Sequence, residues 1–184
     1  MAAAVTDDAP FSFDSGHADL IHDVQVDFYG KTIASASSDR CIRIFEVIKN
    51  SQQLIAKLSG HAGPVWKLSW APPPFTNVLA SCGYDKRVIV WRRTSKQWTQ
   101  WFVDEFASSV NTVQFAPTSP NHNTLELIAG CSDGSIRVYT LQSNKKWTAS
   151  NLIEKAHSGG VNAISWATPS NIIVSNDESK QKDV

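Results

Sequence analysis

The stretch LSGHAGPVWKLSWAPPPFTNVLASCGYDKRVIVW, residues 58–91, contains the pattern that decides the fold. It holds a Gly-His pair, three apolar runs, a Pro-rich turn after the first run and a Tyr-Asp turn before the third. Apolar residues spaced two apart, as in the first run, place their side chains on one face of a strand. Weaker copies of the stretch lie before and after it, so the chain is built from repeats of one unit.

Four first strands align across the chain, because in each an apolar residue is followed three and five positions later by two more. Their first residues are 44 to 51 positions apart, and we expect these strands at 21–26, 65–70, 110–115 and 161–166. In the first three units, a second strand, a turn with Asp, a third strand ending in an aromatic residue and an outer strand follow. Units of four short strands with this period and with Gly-His and Trp marks are typical of β-propeller blades.

We therefore predict an all-β fold, a partial β-propeller with three full blades and the start of a fourth. Prolines at 72–74, 117 and 120 argue against an all-helical fold. The predicted segments are a tail with a short strand at Phe11–Phe13 (1–14), three blades (15–58, 59–105 and 106–154), the start of a fourth blade with a second strand at 171–175 (155–175), and a C-terminal tail (176–184). Because six or seven units need roughly 250–300 residues, we expect a longer propeller.

Composition excludes several classes of function. The 17 basic and 17 acidic residues balance, so the basic excess of a nucleic-acid-binding protein is missing. Cys41, Cys82 and Cys131 lie far apart beside apolar runs, which predicts buried thiols rather than a disulfide or zinc site. The sequence shows no phosphate-loop, metalloprotease or nucleophile-elbow motif, so no cofactor is predicted. Without a secretory signal or a membrane-spanning run, we expect exposure to the cytosol or nucleus.

One set of side chains in the second unit has the residue types of a hydrolase triad: His61, Ser81 and Asp85, with Trp91 six residues after the Asp. The first unit repeats the set as His17, Ser35, Asp39 and Phe45. Because a catalytic triad does not occur once per repeat, we interpret both sets as structural tetrads that tie the inner loop to the third strand. The hydrolase reading stays open as an alternative.

The third unit keeps only the turn carboxylate of these tetrads. It has Asp133, but Ala129 and Tyr139 stand at the Ser and Trp positions, and no His precedes its first strand. We therefore expect its inner loop to be less well fixed than the other two.

Six segments of the chain resemble the Sec-thirteen family of WD-repeat scaffold proteins. They are GHADLIHDVQVDFYG (16–30), IASASSDRCIRIFEV (33–47), LSGHAGPVWKLSWAPP (58–73), LASCGYDKRVIVW (79–91), SSVNTVQFAP (108–117) and KAHSGGVNAISWA (155–167). The first and third segments are specific, because generic WD repeats do not carry both. The resemblance covers about residues 15–168.

The resemblance implies a six-bladed, incompletely closed propeller that an elongated partner completes with a blade of its own. It implies a non-enzymatic structural subunit of the COPII coat, active in ER-to-Golgi protein transport on vesicles and the cytosolic face of the ER. The same subunit serves the outer ring of the nuclear pore complex and, in some eukaryotes, the nutrient-signalling GATOR complex. Direct nucleic-acid binding is not implied, and membranes are contacted only through the coat. The last two blades and most of the fourth are absent from this chain.

The resemblance also implies where a partner would lie. The first blade would flank the inserted blade, and residues 11–14 would add a strand to the last blade. The candidate partner contacts are Phe11, Phe13, Ile21, His22, Asp23, Phe28 and Tyr29. For His22 and Asp23, the plainer interpretation is a tolerated polar position in the wall of the central channel.

Two further alternatives concern function. A generic WD-repeat adaptor, such as a substrate receptor in ubiquitin ligation, would need an Asp-x-Arg ending after the third-strand aromatic residue. The chain instead has Glu46-Val47, Arg92-Arg93 and Thr140-Leu141 there. A related nuclear-pore and nutrient-signalling paralogue has a similar opening segment.

Overall fold

The computed structural model describes residues 12–49, 51–95, 97–117 and 124–167. Within these ranges the chain forms twelve strands in three four-stranded antiparallel sheets, and the predicted all-β propeller fold is confirmed. The described residues include no helix that is long and apolar enough to cross a membrane.

Each sheet is one blade, and its strands follow one another in chain order. The first blade contains β1 (Ile21–Val26), β2 (Thr32–Ser37), β3 (Cys41–Ile48) and β4 (Ser51–Ser59). The second contains β5 (Val65–Trp70), β6 (Val78–Gly83), β7 (Arg87–Thr94) and β8 (Gln97–Glu105). The third contains β9 (Val110–Phe115), β10 (Glu126–Cys131), β11 (Ile136–Leu141) and β12 (Trp147–Ile153).

The same Asp turn joins the second and third strands of every blade. The Asp39 carboxylate accepts a hydrogen bond from the Cys41 amide at 3.0 Å, and Asp85 and Asp133 do the same for the amides two residues on. The residue after each Asp has a positive φ: 68° at Arg40, 67° at Lys86 and 88° at Gly134. Asp is favoured in such turns because its short side chain closes the turn locally. The repeated Asp of the sequence is therefore a hairpin signal.

Two apolar cores lie between the blades. The core between the first and second blades includes Ala34, Ile44, Leu68, Leu79 and Ile89. The core between the second and third blades is larger and includes Val90, Phe115, Leu127 and Tyr139. Because each sheet packs its faces on its neighbours, burial of about 1.5–3 kcal/mol per large side chain accrues between blades rather than within one.

Hydrogen bonds across the seams between blades fix how the blades are placed. Trp70 Nε1 donates to the Gln25 carbonyl at 3.1 Å, and Trp166 Nε1 donates to the Gln114 carbonyl at 3.2 Å. The two Trp residues stand at equivalent positions of their units and bond to equivalent residues of the preceding blade. At the middle seam, the Phe115 amide donates to Ser69 Oγ at 3.0 Å.

Two expectations from the sequence need correction, and a third is not tested by the described residues. Residues 12 and 13 are not in a strand, although Phe13 packs edge-on against the Phe45 ring with centroids 5.2 Å apart; Phe11 lies outside the described residues. Residues 161–166 are also not in a strand, because no described residue on their far side supplies a hydrogen-bonded ladder. The expected strand at 171–175 lies outside the described residues.

Residues 161–166 nevertheless dock on the third blade. Besides the Trp166 bond, Asn111 Nδ2 donates to the Val161 carbonyl at 3.1 Å. The cysteines differ from the prediction in one respect: all three are free thiols and Cys82 and Cys131 are buried, but Cys41 is only half-buried.

The seam bond of Trp70 can be tested by removing the indole N–H. Trp70→Phe should lower the free energy of unfolding by about 1–2 kcal/mol, since it loses one hydrogen bond and part of the buried ring. Urea unfolding measures the change. The control is Trp66→Phe, whose indole makes no hydrogen bond within the described chain; it should cost less than about 0.5 kcal/mol. Equal costs for the two variants would show that the seam bond contributes nothing.

Candidate functional site

The tetrad of the second blade is a continuous chain of hydrogen bonds. Trp91 Nε1 donates to Ser81 Oγ at 2.8 Å, and Ser81 Oγ lies 2.8 Å from His61 Nε2. His61 Nδ1 lies 2.9 Å from Asp85 Oδ2. These hydrogen bonds lead from Trp91 on β7, through Ser81 on β6 and His61 in the loop before β5, to Asp85 in the β6–β7 turn. They therefore tie the inner loop to the third strand.

Asp85 is the acceptor at the end of this chain. Besides His61, its carboxylate accepts hydrogen bonds from the amides of Ala62 at 2.8 Å and Arg87 at 3.2 Å. Burial alone would raise the pKa of Asp85, but these hydrogen bonds and the neighbouring His61 lower it overall. The carboxylate thus stays ionised and holds the turn and the inner loop together.

The tetrad of the first blade has the same geometry with one member fewer. His17 Nδ1 lies 2.8 Å from Asp39 Oδ2, and His17 Nε2 lies 2.8 Å from Ser35 Oγ. Phe45 replaces the Trp and has no N–H to donate to the Ser hydroxyl. Burial would raise the pKa of Asp39, but the hydrogen bonds from His17 and from backbone amides outweigh it and lower the pKa to about 2.

The third blade uses a different connection, which the sequence did not reveal. Tyr139 donates its hydroxyl hydrogen to Asp104 Oδ2 at 2.7 Å, and Arg137 Nη1 donates to the same oxygen at 2.8 Å. Asp104 lies on β8, so these bonds tie the third blade to the outer strand of the second. Arg137 also lies over the Phe106 ring, 4.1 Å from its centroid. The one sequence signal for this connection was Tyr139, which stands where the second blade has Trp91.

The distances in the second tetrad match those of a catalytic triad, but its surroundings do not suit catalysis. Ser81 is fully buried, and its hydroxyl already bonds to His61 and Trp91. A nucleophile has to reach its substrate. The first blade repeats the arrangement, as a structural element would. No cluster of metal-ligating side chains occurs in the part of the chain that the structure describes.

The structure places the described candidate partner contacts at the exposed surface of the first blade, except for Asp23, which lies at the seam with the second blade. Phe13, Ile21, Phe28 and Tyr29 are exposed, and Phe28 and Tyr29 pack edge-on against each other. His22 is exposed and bonds to Ser38 Oγ at 2.6 Å. Phe11 lies outside the described residues.

Asp23 lies apart from the other partner-contact candidates. Its carboxylate accepts a hydrogen bond from the Leu68 amide of the next blade at 2.9 Å and lies 3.7 Å from Lys67 Nζ. Asp23 therefore belongs to the seam between the first and second blades. The alternation of a strand places Asp23 and Gln25 on the side of the second blade.

The same alternation places Val24 and Val26 on the opposite side, where they form an uncovered apolar face. Their exposed fractions are 53% and 54%. The equivalent residue of the second blade, Leu68, is 3% exposed because the first blade packs on it. In the third blade the equivalent residues, Val113 and Phe115, are 3% and 5% exposed. We call the surface of Val24 and Val26 the open face; the sequence-based candidates did not include it.

Comparison with known proteins agrees with this geometry. The family described as WD domain, G-beta repeat, matches residues 10–46, 52–92 and 101–140, one match for each blade. The chain is also similar to curated proteins from several organisms. It is 45% identical over 155 residues to the "Protein SEC13 homolog" of Drosophila melanogaster, covering 83% of this chain and 42% of that protein.

Two further relatives give the same result. The chain is 40% identical over 176 residues to the "Protein transport protein sec13" of Emericella nidulans, covering 88% of this chain and 55% of that protein. It is 40% identical over 155 residues to the "Protein SEC13 homolog" of Caenorhabditis briggsae, covering 84% and 50%. The chain spans about half the length of the curated relatives it matches. It belongs to the WD-repeat family and, within it, to the Sec-thirteen family.

The two tetrads predict different costs for the same substitution. Ser81→Ala leaves both Trp91 Nε1 and His61 without their partner and should lower the free energy of unfolding by about 2–4 kcal/mol. Ser35→Ala deprives only His17 and should cost about 1–2 kcal/mol. Chemical denaturation of both variants measures the difference. A smaller loss for Ser81→Ala than for Ser35→Ala would be inconsistent with the hydrogen-bond chain.

The turn carboxylates predict a loss of stability in acid. The pKa of Asp39 is about 2 in the folded chain and about 3.9 in an unfolded one. Its contribution is therefore complete above about pH 4 and is lost as the pH falls towards 2. Asp85, whose pKa is also lowered, acts in the same direction. Asp39→Asn should be less stable at neutral pH and should flatten the pH dependence of urea unfolding below about pH 4. An unchanged acid slope would contradict this assignment.

Proposed function

We propose that the chain is a non-enzymatic scaffold subunit of the COPII vesicle coat, acting in protein transport from the ER to the Golgi. The names of its relatives support this proposal, since one of them is a protein transport protein. The buried Ser81 and the recurrence of the tetrad support a structural rather than a catalytic role.

The open face is the observation that carries the proposal. Every equivalent face in the second and third blades is covered by the preceding blade, whereas Val24 and Val26 are more than half exposed. A propeller face of this kind buries its apolar surface only against another blade. An elongated coat subunit that donates a blade in trans would supply that cover, by pairing and packing of sheets.

The same surface would serve a second assembly. An elongated scaffold protein of the nuclear pore outer ring would cover the open face in the same way. The locations proposed for the chain are therefore COPII vesicles and the cytosolic face of the ER for the first assembly, and the nuclear envelope for the second. Membranes would be contacted only through the coat, and the balanced charge of the chain fits the absence of a direct nucleic-acid role.

Co-purification with the elongated COPII subunit tests the proposal. The chain, co-expressed with a tagged copy of that subunit, should be retained with it. Val24→Glu combined with Val26→Glu should reduce retention at least about tenfold, because two charges would be buried against apolar surface. The matched control is Leu152→Glu, which changes an exposed residue of β12 and should bind normally.

Two results would contradict the proposal. One is the failure of the unmodified chain to co-purify with the coat subunit. The other is retention of the double Glu variant at the level of the control, which would place the contact on a surface other than the open face.

A further inference from the structure

In the described part of the chain, the indole of a Trp residue joins two of the three seams between units. Trp70, the last residue of β5, donates from Nε1 to the Gln25 carbonyl at 3.1 Å. Trp166, at the same position of the fourth unit, donates from Nε1 to the Gln114 carbonyl at 3.2 Å. Gln25 and Gln114 each stand next to last in the first strand of their blade. Donor and acceptor positions are therefore the same at both seams.

The seam between the second and third blades has no Trp at the donor position, and a backbone amide acts as the donor instead. Phe115 ends β9, and its amide donates to Ser69 Oγ at 3.0 Å. Ser69 stands next to last in β5, so the acceptor again comes from the same position of the preceding blade. A side-chain hydroxyl has replaced the carbonyl, because it extends far enough to meet an amide. A last residue without a side-chain N–H is thus paired with a hydroxyl.

The pairing of the first strands explains the direction of this amide. In every blade the amide that follows the first strand donates to the second strand: Asp27 to the Thr32 carbonyl at 2.9 Å, Ala71 to Val78 at 3.0 Å and Ala116 to Glu126 at 2.9 Å. Bonded positions alternate in an antiparallel pair, so the amide one residue earlier points away from the second strand. For Phe115 that direction leads to the preceding blade. By equivalence, the amide of Val26 points to the place that a preceding blade would occupy.

Val26 is the last residue of β1 and has the same requirement as Phe115. Its side chain carries no N–H, so only its amide can act as the donor. No described group accepts a hydrogen bond from that amide, and the residue is 54% exposed on the open face. Once a cover excludes water from this face, an amide without an acceptor is unfavourable. A stable cover therefore supplies an acceptor opposite Val26.

A charged acceptor fits the first seam but not the open face. At the first seam the Asp23 carboxylate accepts a hydrogen bond from the Leu68 amide at 2.9 Å, and Lys67 Nζ lies 3.7 Å from the same carboxylate. The residue of the first blade that aligns with Lys67 is Asp23 itself. An incoming carboxylate would therefore meet a negative charge where Asp23 meets a positive one, which is unfavourable at an interface. This charge pattern favours an uncharged acceptor.

We propose that the strand that covers the open face carries a Ser or Thr whose hydroxyl accepts a hydrogen bond from the Val26 amide, as Ser69 accepts one from Phe115. This inference rests on the proposed function, in which the strand belongs to a blade donated by the elongated coat subunit. It adds the chemistry by which that blade is recognised. The three described sheets are separate, so a side chain can join blades across a seam without extending a sheet.

Nuclear magnetic resonance of the complex tests the hydroxyl contact. The full chain, made with isotope-labelled valine, is bound to the unlabelled elongated COPII subunit and compared with the free chain. The Val26 amide proton should move downfield, and its exchange with solvent should slow at least about tenfold, because a bonded amide exchanges only when the contact opens. Val90, which is fully buried within the second blade, is the internal reference and should not change.

Substitutions in the donated strand identify the acceptor. Each Ser and Thr of that strand is changed in turn to Ala. One of these changes should weaken binding about three- to tenfold and return the Val26 signal towards its free position, since a single hydrogen bond is lost. Exchange of Ser for Thr, or the reverse, keeps the hydroxyl at that residue and is the matched control, which should bind normally. Asp at the same residue should bind more weakly than Ala.

The outcomes separate this inference from the proposed function. A complex in which the Val26 signal is unchanged would overturn the hydroxyl contact and leave the coat function standing. A shifted Val26 signal that no Ser or Thr substitution alters would assign the acceptor to another group, such as a backbone carbonyl, and would also overturn it. If the chain and the coat subunit form no complex, the proposed function fails and this inference fails with it.

Discussion

A propeller blade cannot cover its own apolar faces, and the rest of this structure depends on that constraint. Leu68 of the second blade is nearly inaccessible because the first blade lies on it, and Phe115 of the third is covered in the same way by the second. The first blade has equivalent residues in Val24 and Val26, but they are half exposed. Packing between blades is therefore the source of stability, and it leaves the first blade with an exposed apolar face.

Hydrogen bonds within the blades and across the seams supplement this packing. The tetrads tie the inner loop of each of the first two blades to the second strand and to the Asp turn. Asp23, Trp70 and Trp166 then fix the seams through bonds to backbone groups of the adjoining blade.

The repeats made most of the fold predictable from the sequence. Alternating apolar residues, the recurring Asp and the aromatic residue six positions later are local signals, and the structure follows them in all three blades. The tetrad members were also readable, because the same residue types recur at the same spacing. The strand expected at 161–166 was wrong because a strand requires a hydrogen-bonded neighbour, which no local pattern can supply. Neither the role of Asp104 nor the open face was predicted from the sequence, because each depends on how adjoining blades pack.

Hydrogen exchange of the backbone amides of β1, with and without the elongated coat subunit, tests the central claim most directly. If a donated blade covers the open face, the amides of residues 21–26 should exchange at least about tenfold more slowly in the complex, because a covered strand opens less often. The strands of the second blade should change little. Unchanged exchange in β1, with protection confined to other strands, would contradict the account.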